Sequence, residues 1–178
     1  MSDKSALRRR IQSSYPVSGP SWPEDWERPL MDWLSQNASG TWGAFIPLKD
    51  EPPLLSKLPH LKHLQWVFPR IQGASLEFCE VKGDADLVRG PLCPEPAAHC
   101  PVIENGKLQG LLIPALAFDH SGQRLGRGKG FYDRFLETFT GVRVGVIHSS
   151  RILESLPADS WDQRVEWIAS EKGVRPVS

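Results

Sequence analysis

The sequence predicts an α/β fold: a mostly parallel sheet flanked by helices, Rossmann-like and three-layered, with a glycine-rich anion loop at a strand-to-helix junction. Three observations carry this. Short apolar or β-branched runs at 43–48, 65–68, 76–81, 111–118 and 142–148 read as strands. Helix-compatible stretches fall between and after them, an alternation that favours parallel pairing with helices on the sheet faces. Finally, Gly126, Gly128 and Gly130 alternate with Arg127 and Lys129 where an apolar run gives way to a helical segment. In parallel sheets, ligands gather beyond the carboxyl ends of the strands.

Taken in order, residues 3–12 read as a basic helix with Lys4 and Arg8 one turn apart. Pro16, Gly19 and Pro20 mark residues 14–22 as a loop between two helices. Trp26, Leu30, Trp33 and Leu34 then recur at i, i+4, i+7 and i+8, an amphipathic helix expected to start at Pro23. The strand at 43–48 ends in Asp50-Glu51, and a helical stretch is expected over 53–58. After the strands at 65–68 and 76–81, residues 83–106 are rich in Pro, Gly and charge and read as a long surface excursion, often a functional feature. Helices are expected at 129–138 and 150–156, on either side of the 142–148 strand.

The 178 residues suffice for one domain, 1–178, with a proper core. Lysine plus arginine number 21 and aspartate plus glutamate 21, so no global field draws in nucleic acid or an anionic membrane. The Arg8-Arg9-Arg10 cluster is what an RNA-binding reading would use; the balanced total favours a solvated face. No apolar run is long enough to span a bilayer and no signal-peptide pattern opens the chain, so a cytoplasmic location and no membrane partner are expected. Cys79, Cys93 and Cys100 lack CxxC spacing and suit reduced thiols. Cys93, His99 and Cys100 as metal ligands is the weaker alternative. A monomer is the expected state.

The segment from Arg124 to Asp133 is the most informative. Glycines let the backbone approach a ligand and adopt positive φ, and a helix starting behind them turns unpaired N–H groups toward an anion. With Arg124, Arg127 and Lys129 built in, this describes a phosphate cradle; the plainer reading is a surface turn made soluble by its arginines. A Walker A loop would need Lys followed by Ser or Thr, and a dinucleotide fingerprint would need glycine at position 131, which is Phe131.

The whole string resembles the signature of the 5-formyltetrahydrofolate cyclo-ligases, also called methenyltetrahydrofolate synthetases. There a strand ends in Pro-Gly-x-x-Phe-Asp, followed by Gly-x-Arg-Leu-Gly-Arg-Gly-x-Gly-Tyr-Tyr-Asp. This chain has Pro114 to Asp119 and Gly122 to Asp133, departing only at Ala115 and Phe131. Sparser similarities run through Lys4 and Arg8, Asp50-Glu51, Phe68-Pro69-Arg70, Pro94-Glu95-Pro96 and Leu156-Pro157…Asp162. Trp161 stands where the family has histidine, and the N-terminal region is shorter.

The resemblance implies ATP- and Mg²⁺-dependent closure of 5-formyltetrahydrofolate to 5,10-methenyltetrahydrofolate through a phosphorylated formyl group, with ADP and phosphate released. It implies ATP contacts from Lys4, Arg8, Arg124, Leu125, Gly126, Arg127, Gly128, Lys129, Gly130, Phe131 and Tyr132. Arg127, Lys129 and Tyr132 would be catalytic, and Ile46, Glu51 and Tyr132 would meet the folate. Asp133 and Asp162 would hold the metal; the plainer role for Asp133 is to complement the helix dipole. Arg70 and Lys82 are candidates for a polyglutamate tail. The alternative is a catalytically silent relative that binds nucleotide, folate or RNA.

Overall fold

The computed structural model describes residues 3–14 and 20–178, so most of the loop expected over 14–22 lies outside the described residues. Three helices, α1 (Asp3–Ser14), α2 (Arg28–Asn37) and α3 (Phe131–Thr138), are set among short strands. These are β1 (Gly40–Gly43), β2 (Leu64–Gln72), β3 (Ser75–Glu80), β4 (Leu87–Arg89), β5 (Pro94–Pro96) and β6 (Val102–Ile103). Then follow β7 (Leu108–Pro114), β8 (Ala117–Asp119), β9 (Arg124–Leu125), β10 (Val142–Val146), β11 (Ile152–Leu153), β12 (Trp167–Ser170) and β13 (Gly173–Pro176).

Eight strands form the main sheet in the order β13-β12-β10-β7-β1-β2-β3-β6. The run from β12 to β2 is parallel, while β13, β3 and β6 join antiparallel. The mixed α/β class is as expected, with antiparallel edges and fewer crossover helices than a doubly wound sheet. Side-chain alternation sorts the core onto two faces. Leu112, Val144 and Val146 pack with Trp26, Leu30 and Leu34 on the α2 side. Leu111 and Ile113 pack with Phe135 and Leu136 of α3 on the other. Helix α1 buries Ile11 against Leu116, Leu125 and Leu156.

Several elements differ from the sequence expectation for local reasons. Helix α2 begins at Arg28 instead of Pro23, because Asp25 adopts φ 57 and closes the preceding turn. Strand β1 ends at Gly43; Ala44 N–H still donates to Val67 O (2.9 Å), but Pro47 has no N–H to continue a ladder. The 111–118 run is two strands: β7 ends at Pro114, and β8 turns away to pair with β9 and β11 in a separate small sheet. Residues 55–57 form a turn leading to a single 3-10 turn at Leu58–His60, since Pro59 has no N–H to donate back to residue 55 as a continuing α-helix requires. The helix expected at 150–156 is a 3-10 turn, Ser149–Arg151, followed by β11. The hairpin of β12 and β13 was not foreseen.

Candidate active site

The strand order reverses between β1 and β7, the place where open α/β sheets form their ligand crevice. A cleft opens there, with Phe45 and Ile46 beyond β1 and Pro114 and Ala115 at the end of β7. Residues 126–130 form one wall, Lys4 and Arg8 of α1 another, and the 83–106 excursion contributes Leu92, Cys93 and Glu95. That excursion is therefore part of the cleft wall, which its composition alone did not reveal.

The loop owes its course to glycine. Gly128 and Gly130 adopt φ +94 and +69, a region where a Cβ is strained, and Gly130 caps α3. Arg8 Nε donates to Gly126 O (2.8 Å), fixing the first helix to the loop. Behind the loop, buried Arg124 pairs with Asp133 (Nη2–Oδ1 2.7 Å) and lies 5.4 Å from the Tyr132 ring centroid. Arg124 Nε and the Tyr132 hydroxyl are buried without any hydrogen-bond partner. Both residues line the cleft, and buried polar groups of this kind gain from a further hydrogen-bond partner. Burial also pushes the Tyr132 phenol well above its ordinary value, so it is a donor at neutral pH.

Arg127 reaches across to two carboxylates, Asp50 (Nη2–Oδ1 2.5 Å) and Glu51 (Nε–Oε1 3.3 Å). Buried Arg151 holds Asp50 from behind, at 3.1 Å to its carbonyl and 3.3 Å to Oδ2. Glu51 accepts from Leu48 N–H (2.9 Å), yet burial raises its carboxyl above the ordinary value despite that bond and Arg127. A buried anion in this condition gains from further donors. Glu51→Gln keeps the Leu48 hydrogen bond and removes the disfavoured charge, so thermal melting shows no loss of stability.

At the other end, Lys4 is buried and bridges Asp159 (2.8 Å) and Asp162. Asp162 Oδ2 also accepts from Gln123 Nε2 and from Asp159 N–H, each at 2.8 Å. Burial pushes the Asp162 carboxyl up, but its donors, led by Lys4, outweigh this and hold it below the ordinary value.

Of the residues predicted for the site, Lys4, Arg8, Ile46, Glu51, Arg124, Gly126 to Asp133 and Asp162 all line the cleft. Leu125 does not: its side chain is in the core with Ile11 and Leu116. Arg70 and Lys82 are not in the wall either, and Arg70 is engaged by Glu77 (2.7 Å) and Ala97 O. Asp159 and Arg151 were missed as parts of this network; only their spatial partners reveal them. Cys93 lies apart from the other imagined metal ligands. Asp86, His99 and Cys100 are the one group of three potential donors within 4.8 Å among the described residues, and they already form hydrogen bonds with one another.

Residues 34–171 match the 5-formyltetrahydrofolate cyclo-ligase family. The chain belongs to that family. A cyclo-ligase of Mycolicibacterium smegmatis is 37% identical over 164 residues, covering 80% of each chain. The enzyme of Escherichia coli is 42% identical over 64 residues, a segment spanning only 35% of that protein and 34% of this one. The solved 5,10-methenyltetrahydrofolate synthetase of Aquifex aeolicus superposes with a TM-score of 0.82 at 29% identity, covering 97% of this chain and 92% of that one. A second synthetase, from Mycoplasma pneumoniae, shares the fold at a TM-score of 0.75 and 21% identity, over 96% and 99% of the two chains. Among the described residues no helix of this cyclo-ligase family member is long and apolar enough to cross a membrane, and its three cysteines are free thiols.

Proposed function

We propose that the protein closes 5-formyltetrahydrofolate to 5,10-methenyltetrahydrofolate with ATP as the activating group, acting in the cytoplasm. The observation that supports this most is the joining of two unlike recognition surfaces by Arg127. On one side lies a cationic glycine loop suited to phosphates. On the other, beside Ile46, a buried carboxylate, Glu51, suits the donor edge of a pterin.

A formamide oxygen is a poor leaving group, so it first takes the γ-phosphoryl group and ADP leaves. The N10 amine then attacks the activated carbon, loses its proton, and phosphate departs. Phosphoryl transfer asks the protein for alignment and for neutralisation of charge on the moving oxygens. Arg127 lies between the two surfaces and serves that group. Lys129, exposed on the same loop, and Lys4 and Arg8 from α1 serve the remaining phosphates. Tyr132 donates its hydroxyl proton's hydrogen bond to the ligand that fills the cleft, and its ring orders Arg124.

Mg²⁺ fits the donor chemistry. Asp162 and its neighbour already hold a cation, the Lys4 ammonium, and Asp133 Oδ1 spends itself on Arg124 at the cleft wall. Asp133 and Asp162 would hold the ion together with nucleotide oxygens. The ion would supply neutralisation of phosphate charge.

The test is purified protein with 5-formyltetrahydrofolate, Mg²⁺ and ATP, followed by the near-ultraviolet absorbance of the methenyl product. Product that requires ATP supports the reading. Folded protein that binds both ligands without forming product means a silent relative.

A further inference from the structure

The chain has seven tryptophans. Six of them, Trp22, Trp26, Trp33, Trp42, Trp66 and Trp167, belong to or pack against one core cluster. The seventh, Trp161, is 67% exposed and lines the cleft. A tryptophan left in water gives up the burial that normally justifies so large a ring. Its position needs a different account.

The backbone that presents it is pinned. Asp162 N–H donates to Asp159 O (3.1 Å), closing a turn with Trp161 at its third position. Asp159 N–H donates to Asp162 Oδ2 (2.8 Å), and buried Lys4 bridges both carboxylates. Gln123, itself buried, adds a fourth tie to Asp162. An exposed indole on so constrained a turn is pre-organised at little entropic cost for contact with a planar ligand.

The connections also say which end of the cleft it serves. Trp161 sits next to Asp162, which holds Lys4; one turn along α1 is Arg8, which holds Gly126 of the glycine loop. The folate-side carboxylate, Glu51, is held instead by Arg127, farther along that loop, and by Leu48 N–H. Trp161 is thus tied through its neighbours to the nucleotide end, beside the cations.

We propose that Trp161 is a stacking platform for the nucleobase of ATP, an inference that rests on the reading of this cleft as a nucleotide site. The indole face covers the purine ring while Lys4, Arg8 and the glycine loop hold the phosphates. Base–aromatic stacking tolerates different bases, because every base offers a π-face. The site therefore accepts GTP with affinity comparable to that for ATP.

The experiment is calorimetric titration of wild type, Trp161→Ala and Trp161→Phe with ATP, with inorganic tripolyphosphate, which lacks the base, and with 5-formyltetrahydrofolate. Expected is an ATP affinity about 5- to 100-fold weaker in Trp161→Ala, largely restored in Trp161→Phe, with tripolyphosphate and folate binding unchanged. ATP should also alter tryptophan emission in wild type more than in Trp161→Phe. Equal ATP affinity in Trp161→Ala overturns the proposal. So does a parallel loss of tripolyphosphate, which would make Trp161 only a support for the Lys4 turn, or a loss confined to the folate. Wild-type protein that binds neither ATP nor tripolyphosphate overturns the nucleotide reading itself, and this inference with it. Because the indole is solvent-exposed, both variants are expected to melt like wild type.

Discussion

Arg127→Ala lowers the rate of ATP-dependent cyclisation by about 10²–10³, the loss expected when one donor to a developing transition-state charge is removed. The side chain is poised for such a role. Its guanidinium is part-exposed in the cleft, and its partners Asp50 and Glu51 are held in turn by Arg151 and Leu48 N–H. The carboxylates aim Arg127 without burying it, so it can pass a proton-rich edge to an incoming phosphoryl group. The loss is expected chiefly in kcat, with ATP affinity less affected, because under the proposed function Lys4, Arg8, Lys129 and the loop backbone would still receive the nucleotide. Arg127→Lys recovers only part of the rate, since an ammonium cannot offer two parallel N–H bonds to one phosphoryl group. Single-turnover rates with parallel ATP titrations separate these contributions.

Asp119→Ala destabilises the fold by about 3–5 kcal/mol, because each buried donor left without an acceptor costs about 1–3 kcal/mol. Asp119 is buried, and its Oδ1 accepts from Ser121 N–H (2.9 Å), Ser121 Oγ (2.7 Å) and Gln123 N–H (3.0 Å). Its Oδ2 accepts from Leu156 N–H (2.9 Å), tying the β8–β9 turn to the C-terminal segment. For a chain of this size the loss corresponds to roughly 2–4 °C in Tm per kcal/mol. Asp119→Asn keeps an oxygen for the turn but sets an amide donor against Leu156 N–H, so it lies between wild type and alanine. Urea melts of the three proteins check the order. An alanine variant as stable as wild type would show the bracket to be dispensable. Asp119 thus accounts physically for one acidic position of the family signature: it shapes the turn that leads to the cationic loop.

What was legible in the sequence was what is local. The cradle from Arg124 to Asp133 is one contiguous segment, and its glycines, cations and following helix are each local properties. Apolar and β-branched runs likewise fell on five strands of the main sheet, the 43–48 run meeting β1 only at Gly43, and helical stretches fell on the three helices of the described residues. The misreadings fall where tertiary pairing decides. Nothing within 111–118 says that Leu116 N–H will bond to Leu125 O instead of continuing β7. Residues 150–156 have helical spacing, yet Ile152 and Leu153 are drawn into pairing with Phe118 and Asp119. Strands β12 and β13 are only four residues each, too short for a pattern, and depend on Gly173 at φ +137 to close their hairpin. The links among Lys4, Asp159 and Asp162, and among Arg127, Asp50 and Arg151, join residues far apart in sequence, and no spacing rule reaches them.

The most direct test follows the oxygen. With the 5-formyl oxygen of the substrate labelled with ¹⁸O, activation of that oxygen by the γ-phosphoryl group sends the label into inorganic phosphate as the methenyl product forms. Label recovered in phosphate, in step with ADP, is the predicted result. Methenyl product accompanied by unlabelled phosphate, or formed without ATP, would contradict it.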